Sequence, residues 1–280
     1  SMSLPIPEHS LFLDNSYRYP FVRESRFATL MTEFGCPYRC NFCIMSTLGW
    51  KIRPVENVLQ ELDHLSQQGV RELFFLDQTF GIQQERTRLL LSEMSERGYD
   101  FGWVCFSRPD VVDRELATLM KKAGCHTVIL GMESGSEEIL ETSKKDYTKG
   151  EVLEGFRRCA EQGLETVATV ILGLPTETPE TFRETMTFLQ QLDPDFASFN
   201  VAVPRMGTPL RQKALALGLI SDDLEIMDQS GSDVAMPTMT LSKSEVAAIK
   251  QKAIGSFYLN FRYLRKRLKR ARSLKETQIQ

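Results

Sequence analysis

Three cysteines within eight residues, Cys36, Cys40 and Cys43 of the run Gly-Cys-Pro-Tyr-Arg-Cys-Asn-Phe-Cys, are the residues of this sequence with the clearest chemistry. Thiolates in a C-x3-C-x2-C spacing can converge on one soft metal centre, and cysteine sulfur is the usual ligand of iron–sulfur clusters. A structural zinc site wants a fourth Cys or His, and His9, His64 and His126 stand in no ligand-like spacing. An electron-transfer ferredoxin needs four cysteines per cluster, in a different run. A four-iron cluster held by only three cysteines leaves one iron open to another ligand, which makes the site catalytic. The readings from other classes are a zinc-stabilised scaffold and a non-catalytic iron–sulfur electron relay. Cys105, Cys125 and Cys159 are isolated in apolar stretches and read as small core residues.

The elements that must position these cysteines follow from periodicity. Short β-rich apolar runs at Phe27–Thr32, Glu72–Asp77, Phe101–Ser107, Thr127–Met132, Thr166–Leu172 and Phe196–Val203 alternate with stretches of helical period, the signature of βα units on a parallel sheet. Helices are predicted over Pro54–Gln68, Gln83–Arg97 and Asp113–Ala123, each followed by glycine. Another opens at the N-cap pair Thr178-Pro179 and runs to about Leu192, before Pro194. Six units are too few for a closed eight-unit barrel. The predicted fold class is therefore α/β, an incomplete (β/α)6 TIM-like barrel over residues 27–218, with functional groups on loops at the carboxyl ends of its strands. Residues 3–26 read as an N-terminal arm or linker, and 219–280 as a helical C-terminal extension with a basic tail.

The chain has 280 residues, 42% hydrophobic and 25% charged, which excludes a disordered or fibrous protein. No apolar run reaches the ~18 residues of a membrane span, and no signal-peptide pattern opens the chain, so a cytoplasmic location is expected. Thiols outside any disulfide framework suit a reducing compartment. Residues 262–272 carry seven Lys/Arg and no acid, leaving 27 basic against 37 acidic residues elsewhere. An acidic body argues against nucleic acid as a partner. The basic tail reads either as a solvated helix on a narrow apolar stripe or as a contact for an anionic surface, which would be peripheral membrane lipid or an acidic partner.

The cysteine loop, with the aromatic Phe42 just before its last cysteine and its place after the first strand, resembles that of the radical S-adenosylmethionine (SAM) enzymes. The resemblance implies a 4Fe-4S cluster on Cys36, Cys40 and Cys43, and SAM chelated at the open iron. It also implies reductive cleavage of SAM to a 5′-deoxyadenosyl radical that abstracts hydrogen from a substrate, with an external electron donor such as flavodoxin or ferredoxin. Other strand ends are similar to family motifs, so the resemblance covers roughly residues 27–210. The stretch Phe75–Phe80, with Asp77, is similar to the one that holds the SAM amino group. The planar fork of Arg108 suits a carboxylate, and Glu133 in Leu-Gly-Met-Glu-Ser-Gly suits the ribose hydroxyls. The segment from Ile171, with Leu172 and Gly173, is similar to one whose backbone borders the adenine, and Val203–Pro209 is similar to a further family turn. Asp77 would equally serve as a helix N-cap, and Arg108 in a surface ion pair.

The runs Leu4-Pro5-Ile6-Pro7, Tyr17–Phe21 and Phe257-Tyr258-Leu259 resemble a subgroup in which a cobalamin-binding domain precedes the radical SAM domain. Many of its members are methylases or catalyse ring formation. The Asp-x-His-x-x-Gly cobalamin ligand motif is absent from this sequence, so the expectation divides. Either the chain is the catalytic part of a cobalamin-dependent methylase or cyclase, or it works without cobalamin. The substrate, a small or lipid-soluble molecule, and the catalytic hydrogen donor are not named by the sequence. Arg205, Asn200 and Tyr38 are candidates for the barrel mouth, with a structural role as the alternative reading.

Overall fold

The computed structural model describes residues 2–13, 17–225, 228 and 233–270. In chain order its strands are β1 (Phe27–Leu30), β2 (Glu33–Gly35), β3 (Trp50–Ile52), β4 (Glu72–Phe75), β5 (Gly102–Ser107), β6 (Cys125–Glu133), β7 (Glu165–Leu172) and β8 (Phe196–Val201). The helices are α1 (Val55–Gln67), α2 (Gln84–Glu96), α3 (Arg114–Lys122), α4 (Glu137–Thr142), α5 (Lys149–Glu161), α6 (Pro179–Leu192), α7 (Pro209–Ala216), α8 (Lys243–Tyr258) and α9 (Phe261–Arg270). Six strands form one all-parallel sheet in the order β1-β4-β5-β6-β7-β8, leaving β1 and β8 as its edges, so the α/β partial barrel is open.

Side chains alternate across each strand, and both faces of this sheet are covered. Leu73, Phe75, Trp103, Val128, Leu130 and Val170 face the buried sides of α1, α2, α3, α5 and α6 in one large core. On the opposite face Phe74, Val104, Ile129, Val167 and Phe196 gather around Val22 of the N-terminal arm. That arm closes the amino end of the sheet: Tyr19 stacks 4.5 Å from the Phe74 ring, and Phe21 5.2 Å from Phe196. The Arg23 N–H donates to Glu72 Oε1 at 2.9 Å, an oxygen that also lies 2.9 Å from His126 Nε2.

At the β8 edge the Tyr258 hydroxyl of α8 donates to the Ala197 carbonyl (2.6 Å) and accepts from the Ala197 N–H (3.1 Å), so one side chain satisfies both exposed backbone groups. Helix α6 starts as its sequence demands, with Thr178 in a reciprocal capping box and Pro179 in the first turn, and Asp193 ends it in the left-handed region. The first strand stops at Leu30, short of the predicted Thr32, because the chain turns there into the antiparallel β2–β3 hairpin. Gly35 permits that hairpin. Its φ is +76°, and a Cβ there would stand 1.8 Å from the Gly49 carbonyl oxygen.

The basic run is helical as far as Arg270, and its inner side meets acids of its own chain at the amino ends of β7 and β8. Lys266 lies 3.5 Å from Asp193 and 3.4 Å from Asp195, and Arg267 lies 3.5 Å from Glu165, which also binds Arg23 at 3.0 Å. The rest of the predicted basic tail lies outside the described residues.

Candidate active site

The cysteine loop leaves β2 at Gly35, beyond the carboxyl end of β1, and is tied down at both ends. Buried Asp77, just past β4, accepts the Thr32 N–H (2.6 Å), the Glu33 N–H (2.9 Å) and the Thr32 hydroxyl (2.8 Å), fixing the turn from which the loop departs. Farther on, Asn41 donates its backbone N–H to Ser143 O and its side-chain amide to Thr142 O, and its carbonyl accepts from Leu210 N–H. The loop is thus pinned to the ends of α4 and α7. All six cysteines are thiols, with Cys40 buried and Cys36 and Cys43 half-buried. Cys36 Sγ lies 4.0 Å from Thr79 Oγ1.

Around the loop stands a buried set of charged and aromatic groups. Gly131 and Glu133 flank a bulge in β6, and Glu133 carries φ +59°, a strained conformation for a residue with a Cβ. The Glu133 carboxylate is 3.0 Å from the ammonium of Lys145. A Cβ on Gly131 would come within 2.7 Å of Glu133 Oε1, so that glycine makes room for the pair. Lys145 lies 5.6 Å from the centroid of the Phe42 ring and 5.1 Å from that of Tyr147, whose hydroxyl donates to Gly131 O at 2.6 Å. Arg108, one residue past β5, holds Asp110 bidentately at 3.0 and 2.9 Å and donates to Lys145 O at 2.7 Å. Its guanidinium covers the Tyr38 ring at 3.7 Å.

Burial dominates the electrostatics of the loop and holds both the Cys40 and Cys43 thiols above the usual thiol range. Burial pushes the Cys40 thiol up, while Lys145 and Arg108 pull it down. Burial lowers the Lys145 ammonium, but Glu133, Tyr147 and Cys40 together offset this and the balance is upward. Beneath the loop, burial and repulsion from Asp77 push Glu33 up to about 7, against the hydrogen bond from Trp50 and the charge of Arg86.

The sequence-predicted residues divide into two sets. The cysteines, Phe42, Arg108 and Glu133 come together, and Tyr38 joins them through Arg108. The Asp77 carboxylate is instead committed to Thr32 and Glu33, and the Leu172 side chain lies in the helix-facing core. Gly173, at φ +82°, donates its N–H to Glu177 Oε2 at 2.5 Å. Sequence reasoning missed Lys145 and Tyr147. They lie in the polar run Ser-Lys-Lys-Asp-Tyr, where nothing marks Lys145 over Lys144.

Residues 33–189 match the profile of the Radical SAM superfamily. The chain belongs to this superfamily. It is similar to an uncharacterized methyltransferase of Pyrococcus horikoshii, 32% identical over 260 residues that make up 91% of this chain and 56% of that protein. It is also similar to the hopanoid C-2 methylase of Rhodopseudomonas palustris, 30% identical over 230 residues, 78% of this chain and 42% of that one. Among solved structures it resembles the radical SAM methyltransferase TsrM of Kitasatospora setae, determined with cobalamin and a 4Fe-4S cluster bound. That match has a TM-score of 0.61 and 26% identity, over 67% of this chain and 37% of that one. The chain spans about half the length of these curated relatives, or somewhat less.

Radical SAM proteins bind a 4Fe-4S cluster and SAM, and the residues of this site fit both groups. Three thiols, two buried cations beside them, and two buried atoms without a hydrogen-bond partner, the donor Arg108 Nη1 and the acceptor Asn41 Oδ1, make a polar cradle with capacity to spare. Among the described residues no three Cys, His, Asp or Glu side chains converge where a single ion could sit. A four-iron cluster distributes its thiolates over different irons and needs no such point.

Proposed function

We propose that Cys36, Cys40 and Cys43 hold a 4Fe-4S cluster at which SAM is reductively cleaved, so that hydrogen can be abstracted from a substrate at the carboxyl end of the sheet. The single observation that carries this is the pinned cysteine loop with Glu133, Lys145 and Arg108 gathered beside it. A cluster on the three cysteines, with SAM beside it, would supply the low-potential one-electron chemistry that yields methionine and a 5′-deoxyadenosyl radical. The chain binds and orients. Glu133 accepts from the ribose hydroxyls, Arg108 Nη1 and the Lys145 ammonium are donors for the SAM carboxylate, and the backbone about Leu172 and Gly173 borders the adenine. Phe42 and Leu174 keep water from that side of the loop, in one apolar cluster with Leu210. Asp77 acts through the loop it anchors. The electron comes from a flavodoxin- or ferredoxin-type donor.

A second reading is favoured by the relatives, a methyltransferase, a hopanoid methylase and a methyltransferase solved with cobalamin. In it this chain is the SAM-binding part of a methylase whose cobalamin is held outside the residues described. One experiment tests both. Anaerobically reconstituted protein is reduced with SAM, with and without added cobalamin, and its products are quantified. The expected outcome is about four irons per chain and 5′-deoxyadenosine, both lost in Cys40→Ala. S-adenosylhomocysteine formed only with cobalamin would favour the second reading, and full activity in Cys40→Ala would remove both.

A further inference from the structure

A helix on a protein surface ordinarily buries its apolar stripe and turns its charges outward. Helix α9 does the reverse. Lys266 and Arg267 face the body, in ion pairs with Asp193, Asp195 and Glu165, and the Arg267 guanidinium lies 4.4 Å from the centroid of the Phe196 ring. Tyr263 packs beside them, 5.1 Å from the Phe257 ring and 5.0 Å from Tyr258. These contacts fix how the helix is rotated. They leave Phe261, Leu264 and Leu268, one row at i, i+3 and i+7, exposed by 80%, 47% and 78%. Arg265, next to the row, is exposed and forms no ion pair among the described residues, and Arg262 is 70% exposed, 3.4 Å from Asp193.

We propose that α9 lies flat on an anionic lipid surface, with Phe261, Leu264 and Leu268 at the acyl boundary and Arg262 and Arg265 among the headgroups. An apolar row bordered by arginines is the pattern of an interfacial helix, and the protein body here occupies the face that such a helix turns away from lipid. No described helix is long and apolar enough to span a membrane, so the contact is peripheral. A second copy is a poorer occupant, because mating two such rows about a two-fold axis would set Arg265 against Arg265. Asp193, Asp195 and Glu165, the residues that hold α9, stand at the amino ends of β7 and β8, whereas the cysteine loop stands beyond a carboxyl end. Docked through α9, the protein turns its reactive side away from the bilayer.

Co-sedimentation of the whole chain with phosphatidylcholine vesicles, with and without phosphatidylglycerol, at low and high salt tests this. The protein should pellet only with the anionic vesicles. Partitioning should fall at least about tenfold at high salt and in the double variant Leu264→Ser/Leu268→Ser, which alters only exposed side chains. Unchanged iron uptake on reconstitution would show that this variant folds, and Arg265→Glu should weaken binding on its own. Failure to pellet with anionic vesicles at low salt overturns the proposal, as does undiminished pelleting of the double variant. A concentration-dependent dimer abolished by the same substitutions, with no vesicle binding, would overturn it in favour of a second copy.

Discussion

The carboxylate of Glu133 and the ammonium of Lys145 stand 3.0 Å apart, both buried and twelve residues apart in the chain. Their meeting depends on a left-handed residue, a bulge in β6 and a glycine two positions earlier. A buried ion pair is a weak source of stability, since desolvation offsets most of its attraction, but losing one partner strands the other charge.

Lys145→Met should accordingly destabilise the protein by about 3 to 5 kcal/mol. Adding Glu133→Gln should recover part of that loss, so the double variant unfolds at higher denaturant than the lysine variant alone. Anaerobic urea unfolding of the parent, the two single variants and the double variant measures the coupling.

Glu133→Ala should weaken SAM binding about ten- to a hundredfold, the loss of one charge-assisted hydrogen bond worth about 1.5 to 3 kcal/mol, with iron content unchanged. Titration calorimetry on reconstituted protein reads the affinity. An unaltered value would confine Glu133 to partnering Lys145.

Asp77 separates positioning of the loop from direct contact with SAM. Asn in its place can still accept the two backbone N–H groups of Thr32 and Glu33, whereas Ala accepts neither. Asp77→Asn should take up iron nearly as well as the parent protein, and Asp77→Ala far less. Equal uptake by both would return Asp77 to a direct cofactor role.

Glu177 yields a pH dependence. Burial pushes its carboxyl up to about 7, opposed by the Gly173 N–H, and its Oε1 is buried without a hydrogen-bond partner. In the unfolded chain it ionises near the ordinary value of about 4.3, so between those two values the unfolded state loses its proton first and stability falls as pH rises. Glu177→Gln mimics the protonated acid. It should match the parent near pH ~4 and exceed it by about 3 kcal/mol near pH ~8 in denaturant unfolding.

The strand order was legible because β4 to β8 are buried on both faces and read as apolar runs, and α6 was legible because Thr178 and Pro179 cap it. The β2–β3 hairpin was not. Its strands have three residues each, too few to show a period, and the cysteine loop lies between them. Cys36, Cys40 and Cys43 were marked as candidates by their spacing, and Glu133 by its likeness to a family motif between two glycines; the structure brings the four near one another. Lys145 was not, since its importance comes from a bulge in another element. Asp77 drew attention as a polar residue at a strand end, but only coordinates reveal that Thr32 and Glu33 occupy its oxygens. The basic tail advertised its charge, and the acids that receive it lie about seventy to a hundred residues away in sequence.

The arm from Tyr19 to Arg23 emerges from the ribosome before every surface it packs on. Phe196 follows Phe21 by 175 residues, and the Arg23–Glu165 pair spans 142. Until β7 and β8 have been made, the aromatic rings of the arm and the inner face of the growing sheet stay exposed to each other's competitors, chaperones and neighbouring chains included. Seating the arm is therefore a late step of biogenesis. While the arm waits for β7 and β8, its exposed rings are a site at which the nascent chain can associate wrongly.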